Sequence, residues 1–284
     1  MTKRHFAIIG GDKRSVYLGD MLKEDGHRVT SMFLGETSSP PEPFASPDAV
    51  VLPIPVTRDG VFLHAPLHTH QAVKLLDICA FFSENFHVFG GVLSNATRVA
   101  FGAFGATITD YSKDEPLTLA GAASTAEGAI SLALQQTDGL LCGANVLVIG
   151  NGRIGKLLAS RLYALGARVT VSARRDLDFA WIDASGFSRI HTSQIAKILP
   201  KTEMIFNTVP HMVLDKENLA NVPKSSLIID LAGEQGGVDF DAARHLGINT
   251  IWATGLPGKF APKTMARAMR DYLYTQLNIK KESD

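Results

Sequence analysis

Residues 146–155 read Val146-Leu147-Val148-Ile149-Gly150-Asn151-Gly152-Arg153-Ile154-Gly155. An apolar run ends in glycines spaced G-x-G-x-x-G, and helical spacing follows through Leu165, the order of a strand, a tight turn and a helix. In a dinucleotide-binding turn the first glycine permits the bend, the second lets backbone approach a pyrophosphate, and the third lets helix pack on strand. The N-terminus of the helix adds N–H donors and positive potential. A ligand-free glycine turn is the plainer alternative, but strand, glycines and helix fall in register here, which favours a cofactor cradle formed by Gly150, Asn151, Gly152, Arg153, Ile154 and Gly155.

About 20 residues further on, an NAD-specific site carries an acidic side chain for the ribose hydroxyls. This chain has Ser172-Ala173-Arg174-Arg175 at the end of the next strand. One hydroxyl and two guanidiniums, from Ser172, Arg174 and Arg175, suit the 2′-phosphate of NADP, with NAD as the second choice. The competing reading is a solvated basic turn. Asp176 and Asp178 lie beyond the strand end, where they read as helix caps. Two later strands end at Asn207-Thr208-Val209-Pro210 and just before Gly255-Leu256-Pro257, which places all seven residues at the carboxyl edge of the sheet, where ligands bind.

Working outward, strands are expected at 145–149, 168–172, 204–207, 227–230 and 250–252, alternating with helices, a pattern that implies a parallel sheet. The first part of the chain repeats the theme. Phe6-Ala7-Ile8-Ile9 runs into Gly10-Gly11-Asp12 and a helix carrying Val16, Leu18, Met21 and Leu22. Further strands are expected at 28–33, 49–52, 86–89 and 107–111, a helix over 71–82, and a proline-rich connection over 39–47. Ser124-Thr125-Ala126-Glu127 matches a capping box, so a linking helix is expected over 121–138. The fold class is therefore α/β: two Rossmann-like, doubly wound parallel-sheet domains. The first spans 1–120 and is completed by a C-terminal helical segment, 259–284; the dinucleotide-binding domain spans 139–258.

Composition narrows the function classes. Lysine plus arginine equals aspartate plus glutamate at 28 each, so no overall field draws the chain to nucleic acid or an anionic membrane. The 45% hydrophobic content supports a sizeable core. Cys79 and Cys142 form no C-x-x-C pair, uninterrupted apolar runs stay far below the roughly 20 residues of a membrane span, and the start has no leader pattern, so a soluble cytoplasmic protein is expected. His64, His68 and His70 form an H-x-x-x-H-x-H pattern with no Cys or acidic companions, and no metal site is expected.

Taken together, Ile9-Gly10-Gly11-Asp12 with Arg14, Leu93-Ser94-Asn95, Thr125-Ala126-Glu127-Gly128, Gly152-Arg153, Asn207 to Pro210, and Gly255 to Gly258 with Ala261-Pro262-Lys263-Thr264 resemble the family of dipicolinate synthase A-subunits over essentially the whole chain. The arrangement is more distantly similar to alanine dehydrogenase and the D-2-hydroxyacid dehydrogenases, which implies two domains separated by a cleft. The resemblance also implies oxidation of dihydrodipicolinate to dipicolinate, the cytoplasm of a sporulating mother cell, and a second, flavoprotein-like subunit. A homo-oligomer is expected. His211, Ala123-Ser124 and Glu234-Gln235 depart from the family pattern.

That chemistry needs a hydride acceptor, an outlet for one proton, and cations or donors for two carboxylates. Arg14, Asp12, Ser94, Asn95 and Thr125 are the candidate substrate contacts, Ser94, Asn95 and Thr125 being read as turn residues. Arg14, Glu127, His211 and Lys263 are the candidate catalytic groups. Four of these have a plain counterpart: Arg14 a first-turn surface arginine, Glu127 and Asp12 helix caps, His211 a loop histidine. Two further function classes stay open at this point, an amino-acid or 2-keto/2-hydroxy-acid dehydrogenase of similar fold and a non-catalytic NADP-sensing subunit.

Overall fold

The computed structural model describes residues 3–35, 47–79, 87–103, 105–233 and 236–279. Two compact units emerge, Met1–Ala120 with Ala261–Asp284, and Gly121–Phe260. In chain order the first unit supplies β1 (His5–Ile9), α1 (Lys13–Glu24), β2 (Arg28–Met32), β3 (Ala49–Val51), α2 (Leu75–Cys79), β4 (His87–Gly90), α3 (Asn95–Ala103) and β5 (Thr107–Asp110). Next comes α4 (Glu115–Gln136), within which the division between units falls. The second unit continues with β6 (Asn145–Ile149), α5 (Arg153–Ala164), β7 (Arg168–Ala173), α6 (Asp176–Ala184), β8 (Ser188–His191) and β9 (Met204–Asn207). It finishes with α7 (Lys216–Leu219), β10 (Leu227–Asp230), α8 (Phe240–Leu246), β11 (Asn249–Trp252) and α9 (Leu256–Phe260), and α10 (Pro262–Gln276) returns to the first unit.

The first unit is built on a parallel sheet of order β2-β1-β3-β4-β5. Its strand β1 is apolar on both faces, as a sheet covered by helices on both sides requires. Phe6 and Ile8 pack with Leu18 and Leu22 of α1 and with Met265, Met269 and Leu273 of α10, while Ala7 and Ile9 pack with Leu52, Ile78 and Phe101. The second unit is a parallel sheet of order β11-β10-β9-β6-β7-β8. Counted from β6, this is the dinucleotide-binding order, with the switch point between β6 and β9.

Several elements differ from the sequence expectation. The helix expected over 71–82 shrinks to Leu75–Cys79, because the backbone before it pairs with a neighbouring segment: Val73 accepts from Leu63 N–H and Lys74 bridges Phe62. The remainder of that expectation, like most of the proline-rich connection and Glu234-Gln235, lies outside the described residues. The helices α3 and α6 and the strand β8 carry no clear signal in the sequence. The linking helix starts earlier than expected, at Glu115, because Asp114 caps it by accepting Leu117 N–H (3.0 Å) and Pro116 sits harmlessly in the first turn. Ser124, Thr125 and Glu127 are thus helix-interior residues, not a capping box. Among the described residues α4 is also the one helix long and apolar enough to cross a membrane, and half of its most apolar stretch is buried inside the protein, Ala126, Ala129, Ile130 and Ala133 among the buried residues. A criterion of uninterrupted apolar runs misses it because Ser124, Thr125 and Glu127 break the run.

α10 is tied to α1 by a polar chain as well as by apolar packing. Buried His27 accepts Arg4 N–H at Nδ1 (3.2 Å), so its other nitrogen carries the proton toward Tyr274 Oη (3.0 Å), and the Tyr274 hydroxyl donates to Asp25 (2.6 Å). Burial depresses the His27 pKa below 6.5, with Asp25 opposing more weakly. A folded-state pKa below the unfolded one stabilises the fold fully above about pH 6.5, and the stabilisation is lost as pH falls through and below that value. Thermal melts between pH 7.5 and 5 are expected to show falling stability on acidification, with a shallower slope in His27→Gln. An equal slope in both proteins would contradict the assignment.

Candidate functional site

The glycine turn of the second unit is shaped by close contacts on one side and open space on the other. Gly150 follows β6 with φ +101°, and a Cβ there would lie 2.5 Å from Thr208 Oγ1. Thr208 is held against this turn by donating through its hydroxyl to the Ile149 carbonyl (2.8 Å). A Cβ on Gly155 would overlap the Gly150 carbonyl oxygen, so that glycine is what lets α5 start tight against the turn. Gly152, at the N-cap of α5, would meet nothing within 4 Å and makes no side-chain cap. The first turn of α5 carries no acidic side chain, so its donors face an opening with positive potential. Asn151 is turned inward, donating to the Asp178 carbonyl (3.3 Å). These residues fit the pyrophosphate of a dinucleotide.

At the end of β7 the expected phosphate contacts separate. Ser172 is fully buried and faces Thr192 Oγ1 (3.3 Å), so its hydroxyl is not offered to a ligand. Arg175 forms a bidentate pair with Asp178, Nε to Oδ2 at 2.7 Å and Nη2 to Oδ1 at 3.0 Å. Asp178 is buried, and the Arg175 hydrogen bonds hold its carboxyl below the usual carboxylate range against the pull of burial. Arg174 is exposed and has no ion-pair partner among the described residues. Of the three, Arg174 is the uncommitted group.

At the ends of β9 and β10 lies a buried polar hub. Asp230 accepts from Asn207 Nδ2 (2.8 Å), Ala232 N–H (3.0 Å) and Gly237 N–H (2.7 Å), and Asn207 exchanges hydrogen bonds with the Val209 backbone. Asn207 is therefore a support for the Thr208-Val209-Pro210 loop, not a ligand contact by its side chain. Gly237 completes the hub, since a Cβ there would collide with the Asn207 amide. Asp230 is marked in the sequence only as the acidic residue that closes its strand, a weak catalytic candidate, and Gly237 does not stand out by local pattern. Pro210 and His211 are exposed. Gly255, with φ +71°, makes the turn into α9; Leu256 is buried behind it and Pro257 is half-buried.

In the first unit the site sits at the carboxyl ends of β1 and β3, the switch point of that sheet. Gly10 and Gly11 have φ of +67° and +100°, and Asp12 caps α1 by accepting Arg14 N–H (3.0 Å). The Arg14 guanidinium lies back over the cap: Nε donates to Asp12 Oδ1 (2.8 Å), and Nη2 donates to Asp12 Oδ2 (2.8 Å) and to the Ile54 carbonyl (2.6 Å). Only 10% of the Arg14 side chain is exposed, so it is no surface arginine. Its Nη1 donates to no group among the described residues. Burial works to raise the Asp12 pKa, but hydrogen bonds and charge from Arg14, with a smaller push from His64, leave it lowered. Tyr111 stabilises the neighbouring edge by donating its hydroxyl to the Leu52 carbonyl, and burial raises its pKa.

The remaining candidates fall elsewhere. Ser94 is the cap of α3, its hydroxyl accepting Thr97 N–H (3.1 Å), and Asn95 is the exposed first residue of that helix. Thr125 donates to the Gly121 carbonyl four residues back (2.8 Å) inside α4. Glu127 is exposed and pairs with Arg161 of α5 (3.2 Å). Lys263 is exposed in the first turn of α10. No group of three or more His, Cys, Asp or Glu side chains able to hold a metal occurs among the described residues. His64, weighed in the sequence only as a metal ligand, instead lies on the loop that covers the Gly10-Gly11 turn, its carbonyl accepting Gly11 N–H (2.9 Å).

Comparison with known proteins matches both units. Residues 5–112 match the family model for the N-terminal domain of the dipicolinate synthase A-subunit, and residues 121–239 that for the NAD-binding domain of D-isomer specific 2-hydroxyacid dehydrogenases. The dipicolinate synthase A-subunit of Bacillus subtilis (strain 168) is 30% identical over 285 residues, covering 96% of this chain and 95% of its own. The crystal structure of the dipicolinate synthase A-subunit from Bacillus halodurans superposes with a TM-score of 0.85 at 29% identity, covering 98% of each chain. That of the Bacillus subtilis protein gives 0.84 at 27% identity, covering 98% of this chain and 97% of the other.

Proposed function

The chain belongs to the family of dipicolinate synthase A-subunits, and from that premise we propose that it is an NADP-dependent oxidoreductase subunit that oxidises dihydrodipicolinate to dipicolinate together with a second, flavoprotein-like subunit in the cytoplasm of a sporulating cell. The observation that carries the reading is the Gly150–Gly155 turn, closed behind Gly150 and Gly155 and open in front of Gly152. The Gly150-to-Gly155 backbone and the first turn of α5 would hold the pyrophosphate, with Thr208, Val209 and Gly255 at the sheet edge beside it. When bound, the nicotinamide supplies the hydride acceptor. Arg14 orients the substrate by offering Nη1 to a carboxylate, its remaining donors being fixed on Asp12 and Ile54.

The direct test is to mix freshly generated dihydrodipicolinate and NADP with the purified chain, with and without the partner subunit, and to follow NADPH absorbance and dipicolinate together. Coupled formation of both supports the reading. Cofactor binding without turnover in either mixture points to a sensing subunit, and turnover of pyruvate with ammonium to an amino-acid dehydrogenase.

Preference for NADP rests on Arg174, because Arg175 is committed to Asp178. A charge-assisted hydrogen bond contributes roughly 1.5–3 kcal/mol, so Arg174→Ala should weaken NADP about 10- to 100-fold and leave NAD nearly unchanged. Calorimetric titration with both cofactors checks it. Equal losses for the two would place the 2′-phosphate contact elsewhere.

A further inference from the structure

A compact turn presents His64 to the substrate-binding end of the first sheet. Asp59 accepts N–H bonds from Val61 and Phe62 (both 2.8 Å), Thr57 Oγ1 accepts from Gly60 N–H (2.8 Å), and Thr57 bridges Leu63. His64 N–H then donates to the Val56 carbonyl (2.8 Å), and the His64 carbonyl accepts Gly11 N–H (2.9 Å). Leu63 and Ala65, on either side, are the side chains nearest Gly10. His64 is thereby fixed by backbone on the turn that carries Asp12 and Arg14.

Its ring is uncommitted. Among the described residues the imidazoles of His5, His27, His191 and His245 are all hydrogen-bonded, whereas the His64 ring makes neither a hydrogen bond nor a ring contact. The residue is half-buried, and its ring nitrogens are not sealed from solvent. The charged groups acting on it are Arg58, Asp12 and Arg14; burial is the largest influence, and with Arg58 and Arg14 it outweighs Asp12, so the imidazole is held below its ordinary pKa and is neutral at pH 7. A neutral imidazole with a free acceptor nitrogen, beside an arginine that has one donor end to spare, is equipped to take a proton from a bound carboxylate substrate.

We propose that His64 is the proton acceptor for the dicarboxylate held by Arg14. The assignment rests on the oxidation reading above. Converting a dihydropyridine to a pyridine removes two hydrogens: one leaves with its electron pair as hydride to the oxidised nicotinamide dinucleotide, and the other leaves as a proton to His64. The electron pair left by that proton becomes the new ring double bond, and the half-exposed imidazole returns the proton to water.

His64→Gln keeps both backbone bonds and is the variant to make. The first readout needs no turnover: the His64 ring resonance, identified by its absence in His64→Gln, is titrated by NMR with and without pyridine-2,6-dicarboxylate. The ligand's negative charge should move the midpoint upward, and Arg14→Gln should abolish the movement. The second readout is turnover with the partner subunit, where His64→Gln should lower kcat about 100-fold or more with KM little changed, lose the acidic limb of the kcat–pH profile, and recover activity with added imidazole. Wild-type kcat and an unchanged acidic limb in His64→Gln would overturn the proposal, as would a resonance indifferent to saturating dicarboxylate. A resonance that responds in a wild-type protein unable to oxidise dihydrodipicolinate would refute the oxidation reading and the proton role with it, while leaving His64 beside the bound dicarboxylate.

Discussion

Gly152→Ala is expected to fold and to lose about 100-fold or more in affinity for NADP and NAD alike, about 2.7 kcal/mol. The expectation depends on the two faces of the turn. Gly152 has an ordinary φ of −78°, and its Cβ would meet nothing within 4 Å, so the protein itself gives no steric reason for glycine there. As an N-cap it is exchanged for alanine at a cost of about 1 kcal/mol or less. If the open space is where the pyrophosphate lies against backbone, the methyl group occupies it, and the loss is shared by both cofactors because both carry that group. Gly155→Ala is the contrasting variant. Its Cβ would run into the Gly150 carbonyl, which is backbone and cannot swing aside, so binding and thermal stability should fall together. Circular dichroism melts beside calorimetric titrations separate the cases. Wild-type affinity in Gly152→Ala would mean that the turn is structural and the dinucleotide lies elsewhere.

The parts of this protein that are legible in the sequence are those written in short-range pattern. Val146 to Ile149 running into Gly150 announces β6 and its turn, and Phe6 to Ile9 running into Gly10 and Gly11 does the same for β1, because parallel-strand burial demands continuous apolar runs. What stays hidden depends on partners far away in sequence or on context that overrides a motif. Ser124 to Glu127 has the letters of a helix cap, yet Asp114 has already started the helix, and Glu127 turns to Arg161. Ser94 reads as a turn residue, whereas it caps a helix the sequence does not advertise. Ser172 and Arg175 look equivalent to Arg174 until Thr192 and Asp178 claim them. Asn207 looks like a ligand contact because it ends a strand at the binding edge, but Asp230, 23 residues on, is its partner. His64 carries no local signal for its position; its place follows from a backbone hydrogen bond to Gly11 that no periodicity encodes.

Arg14→Gln tests the candidate substrate contact of the first unit and carries two effects that can be told apart. In binding, loss of the guanidinium should weaken the dicarboxylate by about 10- to 100-fold, the usual scale for one charge-assisted contact. In stability, Asp12 is left with little more than the residue-14 N–H at a site where only 20% of its side chain is exposed, which should cost about 1–3 kcal/mol at neutral pH. The sign of the pH dependence identifies the source. In the wild type the Asp12 pKa is depressed below 3.8, so its stabilisation is present above that value and is lost as pH falls below it. With Arg14 gone, burial dominates and raises the Asp12 pKa, so the variant's deficit is largest at neutral pH and shrinks on acidification as Asp12 takes up a proton. Adding Asp12→Asn to Arg14→Gln removes the stranded charge and should restore part of the stability without restoring dicarboxylate binding. Melting curves at pH 7 and pH 4 beside binding titrations would establish this. If the double variant recovered binding as well, Arg14 would be a structural partner of Asp12 only, and the carboxylate would have to be held by other groups on the first sheet.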